Sequence, residues 1–104
     1  MHLRTLLVLA AAAGGLAAAP AARADEALAK KHNCLACHQV DKKVVGPAYK
    51  DIAKKYKGQA GVAAKLADHV KKGSQGVWGP IPMPPNAAVP DADVAKLVNW
   101  ILKL

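Results

Sequence analysis

The chain has 104 residues and a formal net charge of +8, with 15 lysines and arginines against 7 acids. Two tryptophans, two tyrosines and no phenylalanine make for a thin aromatic core, so the length admits one small domain and excludes a large two-domain enzyme. Two cysteines in all exclude a scaffold held by several disulfides.

The first residues read as an export signal. Positions 1–4 are short and basic, positions 6–13 are apolar, and Gly14, Gly15 and Pro20 interrupt the run before Ala22-Arg23-Ala24. That small-x-small triplet predicts cleavage before Asp25, giving a signal peptide at 1–24 and one mature domain at 25–104. An uncleaved anchor is the alternative, but the apolar stretch is short and alanine-rich for a membrane span. No later segment approaches span length, so the mature domain is expected to be exported and soluble, with no stable membrane insertion. Cleavage removes Arg4 and Arg23 and leaves 13 lysines against the 7 acids, a net charge of +6.

From there the pattern is helical, with no strand alternation and no repeat. Residues 25–32 predict a short helix with Asp25 and Glu26 near the positive end of its dipole. It leads into Cys34-Leu35-Ala36-Cys37-His38. Two thiols three positions apart can add to vinyl groups on one edge of a porphyrin, and the next residue then offers an imidazole nitrogen to the iron. The string therefore predicts one covalently bound haem c, with Cys34 and Cys37 as thioethers and His38 as proximal ligand. A thioredoxin-like dithiol would expect an α/β surround, and a zinc site would need two further ligands at regular spacing. A structural disulfide is the remaining alternative, and the export signal favours haem, because c-type attachment in bacteria takes place outside the cytoplasmic membrane. With so few aromatics, the porphyrin would supply much of the core, and the apo-protein is expected to fold poorly.

Gly46-Pro47 breaks the chain before a second helix at 49–56, and a third is expected at 60–72, with Val62, Leu66, His69 and Val70 on one face and Gly73 at its stop. Asp91 is the expected N-cap of a last helix, in which Val94, Leu97, Val98, Ile101 and Leu102 follow the helical template. Between Gly73 and Pro90 lies a long connection with four prolines at positions 80, 82, 84 and 85. Proline excludes a helix interior or central strand there, and a loop of this length in a small domain is usually functional. At its centre stands Met83, the only methionine of the mature domain. A lone methionine is commonly core filler, but a stiff loop and a haem lacking its sixth partner point to thioether ligation. His32 lies too close to Cys34 to reach the opposite haem face; His69 could reach, though its helix places it at the haem edge.

Three blocks resemble a known family: Cys34–His38, then Val45-Gly46-Pro47-Ala48-Tyr49-Lys50-Asp51, then the run from Gly73 through Trp78-Gly79-Pro80-Ile81-Pro82-Met83-Pro84-Pro85-Asn86. They are similar to the small bacterial class I cytochromes c of the c-551 (c8) type, over nearly the whole mature domain. The resemblance implies an all-α fold of about four short helices around one haem, and axial ligation by His38 and Met83. It implies that Pro47 offers its carbonyl to the far N–H of His38, that Trp78 bonds a haem propionate, and that Asn86 bonds near the methionine sulfur. His69 stands where relatives often carry arginine or histidine near an inner propionate, and an imidazole there would make the reduction potential pH-dependent. In the N-terminal helix, Ala27, Leu28 and Ala29 replace an aromatic that often packs on the last helix, and Trp100 is the candidate to fill the gap.

The functional expectation is a monomeric periplasmic one-electron carrier, not an enzyme, since two protein ligands leave the iron no vacancy for substrate. By resemblance, it would take electrons from a quinol-oxidising membrane complex. It would pass them to a terminal reductase, foremost the haem-cd nitrite reductase of denitrification, or to a terminal oxidase or cytochrome c peroxidase. Lys30, Lys31, Lys42, Lys43, Lys50, Lys54, Lys55 and Lys57, with Lys71 and Lys72 closing the third helix, form a field suited to partners with acidic docking patches. Nucleic acid is not an expected partner outside the cytoplasm. The readings from other classes are a haem-based gas sensor or haem enzyme, which needs Met83 to be labile, and a subunit of a larger complex.

Overall fold

The structure, a computed structural model, describes residues 21–104. The predicted signal peptide lies outside the described residues as far as position 20. Four helices follow in order: α1 (Ala21–Lys31), α2 (Tyr49–Tyr56), α3 (Val62–Lys72) and α4 (Asp91–Leu102). A single 3-10 turn, Cys34–Ala36, sits between α1 and α2. Among the described residues there are no strands, only isolated bridges between His38 and Lys43 and between Ser74 and Met83.

Two boundaries differ from expectation. The first helix begins at Ala21, not Asp25, so Asp25 and Glu26 lie past its first turn and do not face the positive end of its dipole. At α4 the cap position belongs to Pro90, in extended conformation (φ −57°, ψ 141°), with no side-chain capping bond. Asp91 is instead the first helical residue and, with Asp93, places carboxylates in the first turn, where the helix dipole favours them.

The last helix organises the rest, because it packs against α1, α2 and α3. Its apolar residues cover two adjoining faces. Val94 and Val98 join Tyr56, Val62, Leu66 and Val89 in one buried cluster. Leu97, Trp100 and Ile101 join Ala29 and Tyr49 in the other. Ala29 is fully buried (0 % exposed) and Trp100 is 6 % exposed, so the small residue of α1 is the seat of the large one of α4. Helix α1 thus brings no aromatic ring to this junction, and the rings there are those of Trp100 from α4 and Tyr49 from α2. Trp100 also meets Tyr49 edge-on, with ring centroids 5.5 Å apart. A second tie crosses the same junction, where the His32 Nε2 lies 3.0 Å from the Asp93 carboxylate, joining the end of α1 to the first turn of α4.

Candidate haem centre

The Cys34–His38 segment is turned into place by one residue of unusual backbone. Asn33 adopts a left-handed conformation (φ 61°), which asparagine tolerates better than most side chains. It ends α1 and starts the short 3-10 turn, after which the His38 amide bonds the Cys34 carbonyl at 3.0 Å. The two sulfurs and the imidazole are thereby presented on one compact turn. Both cysteines are half-buried and are not joined to each other.

His38 is 8 % exposed and is held on three sides. Its Nδ1 donates to the Pro47 carbonyl at 2.7 Å, which leaves Nε2 as the ring nitrogen with a lone pair to offer. The ring stacks on Tyr49, centroids 5.0 Å apart with planes 19° from parallel. The backbone of Gly46 lies close against the ring, since a Cβ built there would fall 2.7 Å from His38 Cε1. Tyr49 is 3 % exposed, and burial keeps its phenol neutral well above the ordinary tyrosine range. The sequence motifs led to Pro47 and to close approach at Gly46. Tyr49 escaped notice because an aromatic at the start of a helix looks like ordinary core.

Met83 lines the same cavity from the loop between α3 and α4. Its backbone is clipped to the end of α3 by two bonds, from the Ser74 amide to the Met83 carbonyl (3.1 Å) and from the Met83 amide to the Ser74 carbonyl (2.9 Å). Gly73 makes this approach possible: it has φ +82°, and a Cβ there would meet the Met83 carbonyl at 2.7 Å. Further along, the Asn86 amide bonds the Val70 carbonyl at 2.9 Å. The Asn86 side chain donates from Nδ2 to the Pro84 carbonyl at 3.1 Å, bracing the turn that carries Met83.

Cys34, Cys37, His38, Pro47, Tyr49, His69, Trp78, Met83 and Asn86 all line one cavity of about 240 Å³, walled otherwise by Ile52, Leu66, Val70, Leu97, Val98 and Ile101. A buried water needs only about 10–15 Å³, so the space is shaped for a bulky, largely apolar group. Trp78 stands at its rim, 39 % exposed, with the Lys55 ammonium 4.6 Å from its ring centroid. An apolar cleft lined by two cysteines, a braced imidazole and a thioether from a separate loop fits a covalently attached haem. These features define the class, a c-type haem protein.

The comparisons agree. The Cytochrome c family model matches residues 22–104. Cytochrome c-552 of Nitrosomonas europaea is 59 % identical over 93 residues, covering 89 % of this chain and 90 % of the relative. Cytochrome c-551 of Pseudomonas aeruginosa is 55 % identical over 97 residues, covering 93 % and 92 %. The crystal structure of the wild-type Nitrosomonas europaea cytochrome c552 superposes with a TM-score of 0.73 at 60 % identity, over 75 % of this chain and 96 % of that one. This chain belongs to the cytochrome c family, as a small class I cytochrome of the c-551 type. It carries one covalently attached haem c at Cys34 and Cys37 and serves as an electron carrier. No described helix is long and apolar enough to cross a membrane.

Proposed function

We propose that the protein is an exported, monomeric one-electron carrier whose haem iron is held between His38 and Met83. The observation that carries this reading is that the Cys34–His38 turn and Met83, remote in sequence, line one cavity. When bound, the haem supplies a one-electron iron couple, and a thioether ligand favours its ferrous form and raises the potential. The chain's residues do the rest. Pro47, Gly46 and Tyr49 hold the imidazole in one orientation, the Ser74 clip holds the thioether, and the apolar wall limits water and so limits reorganisation when charge changes. Trp78 and His69, which line the cavity, would meet the haem propionates, and Asn86, bonded to the Pro84 carbonyl, would steady the turn that carries Met83. The near-infrared band of ferric thioether-ligated haem in the wild-type protein tests Met83 directly.

His69 lines the cavity from α3, and an ionisable imidazole facing a propionate couples electron and proton uptake. Reduction potentials measured from acid to alkaline pH are expected to depend on pH more in the wild type than in His69→Arg. Equal slopes in the two proteins would exclude this role.

Cleavage before Asp25 and a periplasmic location follow from the signal pattern at 1–24. The proposed route runs from a quinol-oxidising membrane complex to haem-cd nitrite reductase, with a terminal oxidase or cytochrome c peroxidase as the other acceptors. Exposed Lys30, Lys31, Lys42, Lys43, Lys54 and Lys57 would steer encounter with an acidic patch, in a complex weak enough to turn over. Stopped-flow rates with an acidic-faced acceptor should fall about tenfold or more as salt rises from 10 mM to about 0.5 M. Rates that do not respond to salt would count against steering.

A further inference from the structure

We propose that Lys71 is a positioning residue that holds the Met83 loop shut against the iron. It stands in the last turn of α3, where the sequence pattern reads it as one of the surface cations available to a partner. The structure places it otherwise. Its ammonium donates to the Ala87 carbonyl at 2.9 Å and the Val89 carbonyl at 2.7 Å, and it lies 3.1 Å from the Asp91 carboxylate. A lysine ammonium has three N–H donors, and here each has an acceptor. The side chain is 27 % exposed, so the stem is laid along the protein and not extended into solvent. Neighbouring Lys72 is the contrast: 77 % exposed and paired only with Asp68 one turn back on its own helix, it joins no separate elements.

Two of the acceptors, Ala87 and Val89, lie on the limb of the loop that leads from Met83 to α4, and the third, Asp91, is the first residue of α4. Asp91 is itself 91 % exposed, so that pairing is screened and contributes little. The two carbonyl bonds matter more, because they join a charged donor to main chain in a segment with few helical or sheet bonds of its own. They also act beside Val89, which is 8 % exposed and packs with Val94 and Leu66. The Ser74 clip fixes the loop just before its turn, and Lys71 fixes it just after. Releasing Lys71 leaves the far limb held only by the Asn86 amide bond to the Val70 carbonyl and the packing of Val89, so the loop opens more often and exposes the iron to competing ligands. The inference rests on the reading of Met83 as axial ligand.

The test uses the haem-loaded ferric protein at pH 7, with imidazole as the competing ligand. Apparent affinity for imidazole scales with the fraction of molecules whose loop is open. Lys71→Met keeps most of the stem and removes the donors, and it is expected to bind imidazole about tenfold more tightly than wild type. Lys72→Met removes the same charge one position away and should leave the affinity unchanged. An affinity of Lys71→Met within about twofold of wild type, or an equal rise in Lys72→Met, would overturn the proposal. Should Lys71→Met fail to retain haem, Lys71→Gln, which offers the two carbonyls only a shorter, neutral donor, must show a smaller rise in the same direction, and no rise there overturns it equally. The wild-type near-infrared band separates the two failures: without it the Met83 assignment fails, and with it a flat imidazole response condemns only the Lys71 clamp.

Discussion

Met83→Ala is expected to keep its covalently bound haem and lose its function as a fast carrier. Cys34 and Cys37 are untouched by the change, so attachment survives. The cavity loses its only methionine thioether, because Met83 is the single methionine after position 1. The ferric near-infrared band should vanish, the reduced protein should bind carbon monoxide at neutral pH, and the potential should fall. Axial ligands span roughly 0.8 V in haem proteins, and a drop on the order of 0.1 V or more is the expected size for losing a thioether that favours ferrous iron. Potentiometry and a carbon monoxide difference spectrum measure both. A potential and a carbon monoxide response unchanged in Met83→Ala would show that another side chain holds the sixth position, and His69, which lines the same cavity, would be the first to examine.

The second large effect is expected at Gly46. Its backbone does not require a positive φ, so alanine is acceptable there on conformational grounds and would by itself stabilise by about 0.4–1 kcal/mol through the unfolded chain. Space decides the opposite way. The added Cβ would lie 2.7, 3.0 and 3.2 Å from Cε1, Nδ1 and Nε2 of His38, against the face of the ring. The ring has little freedom to retreat, with Tyr49 stacked on it and Nδ1 bonded to Pro47. Overpacking of this kind costs about 1–3 kcal/mol, and losing the Pro47 bond adds about 0.5–1.5 kcal/mol. Guanidinium unfolding of Gly46→Ala should therefore lie about 2 kcal/mol below wild type, with a displaced pattern of haem methyl resonances in the ferric NMR spectrum. An unfolding free energy within about 0.5 kcal/mol of wild type would mean that the slot around His38 is looser than its geometry indicates.

Local chemistry was open to sequence reasoning wherever it depended on close neighbours in the chain. The Cys34–His38 string needs one turn of backbone, and its reading required only that turn. Helix α4 was visible because its apolar residues recur at helical spacing, and α2, set off by the Gly46-Pro47 break, matched its expected span of 49–56. The start of α3 moved from position 60 to Val62, since Gly61 in a left-handed conformation (φ 73°) occupies its cap. The cap assigned to Asp91 passed to Pro90 for a related reason. Proline's fixed φ suits the entry to a helix, and no side-chain bond was needed there.

What the sequence determined by itself is the covalent part: which residues can bind a haem, which loop is stiff enough to face it, and which stripes of the helices are apolar. Those properties reside in side-chain chemistry and in spacing along a few turns. Tertiary structure decided which of several similar residues does which work. Lys71 and Lys72 are adjacent and chemically identical, yet one reaches two carbonyls and a carboxylate of a distant segment while the other pairs within its own helix. Tyr49 became the support of His38, and Ala29 the seat of Trp100, only when α1, α2 and α4 were brought together. The physical reason is that hydrogen bonds and steric contacts act over a few ångströms in space, whereas sequence patterns report neighbours along a chain.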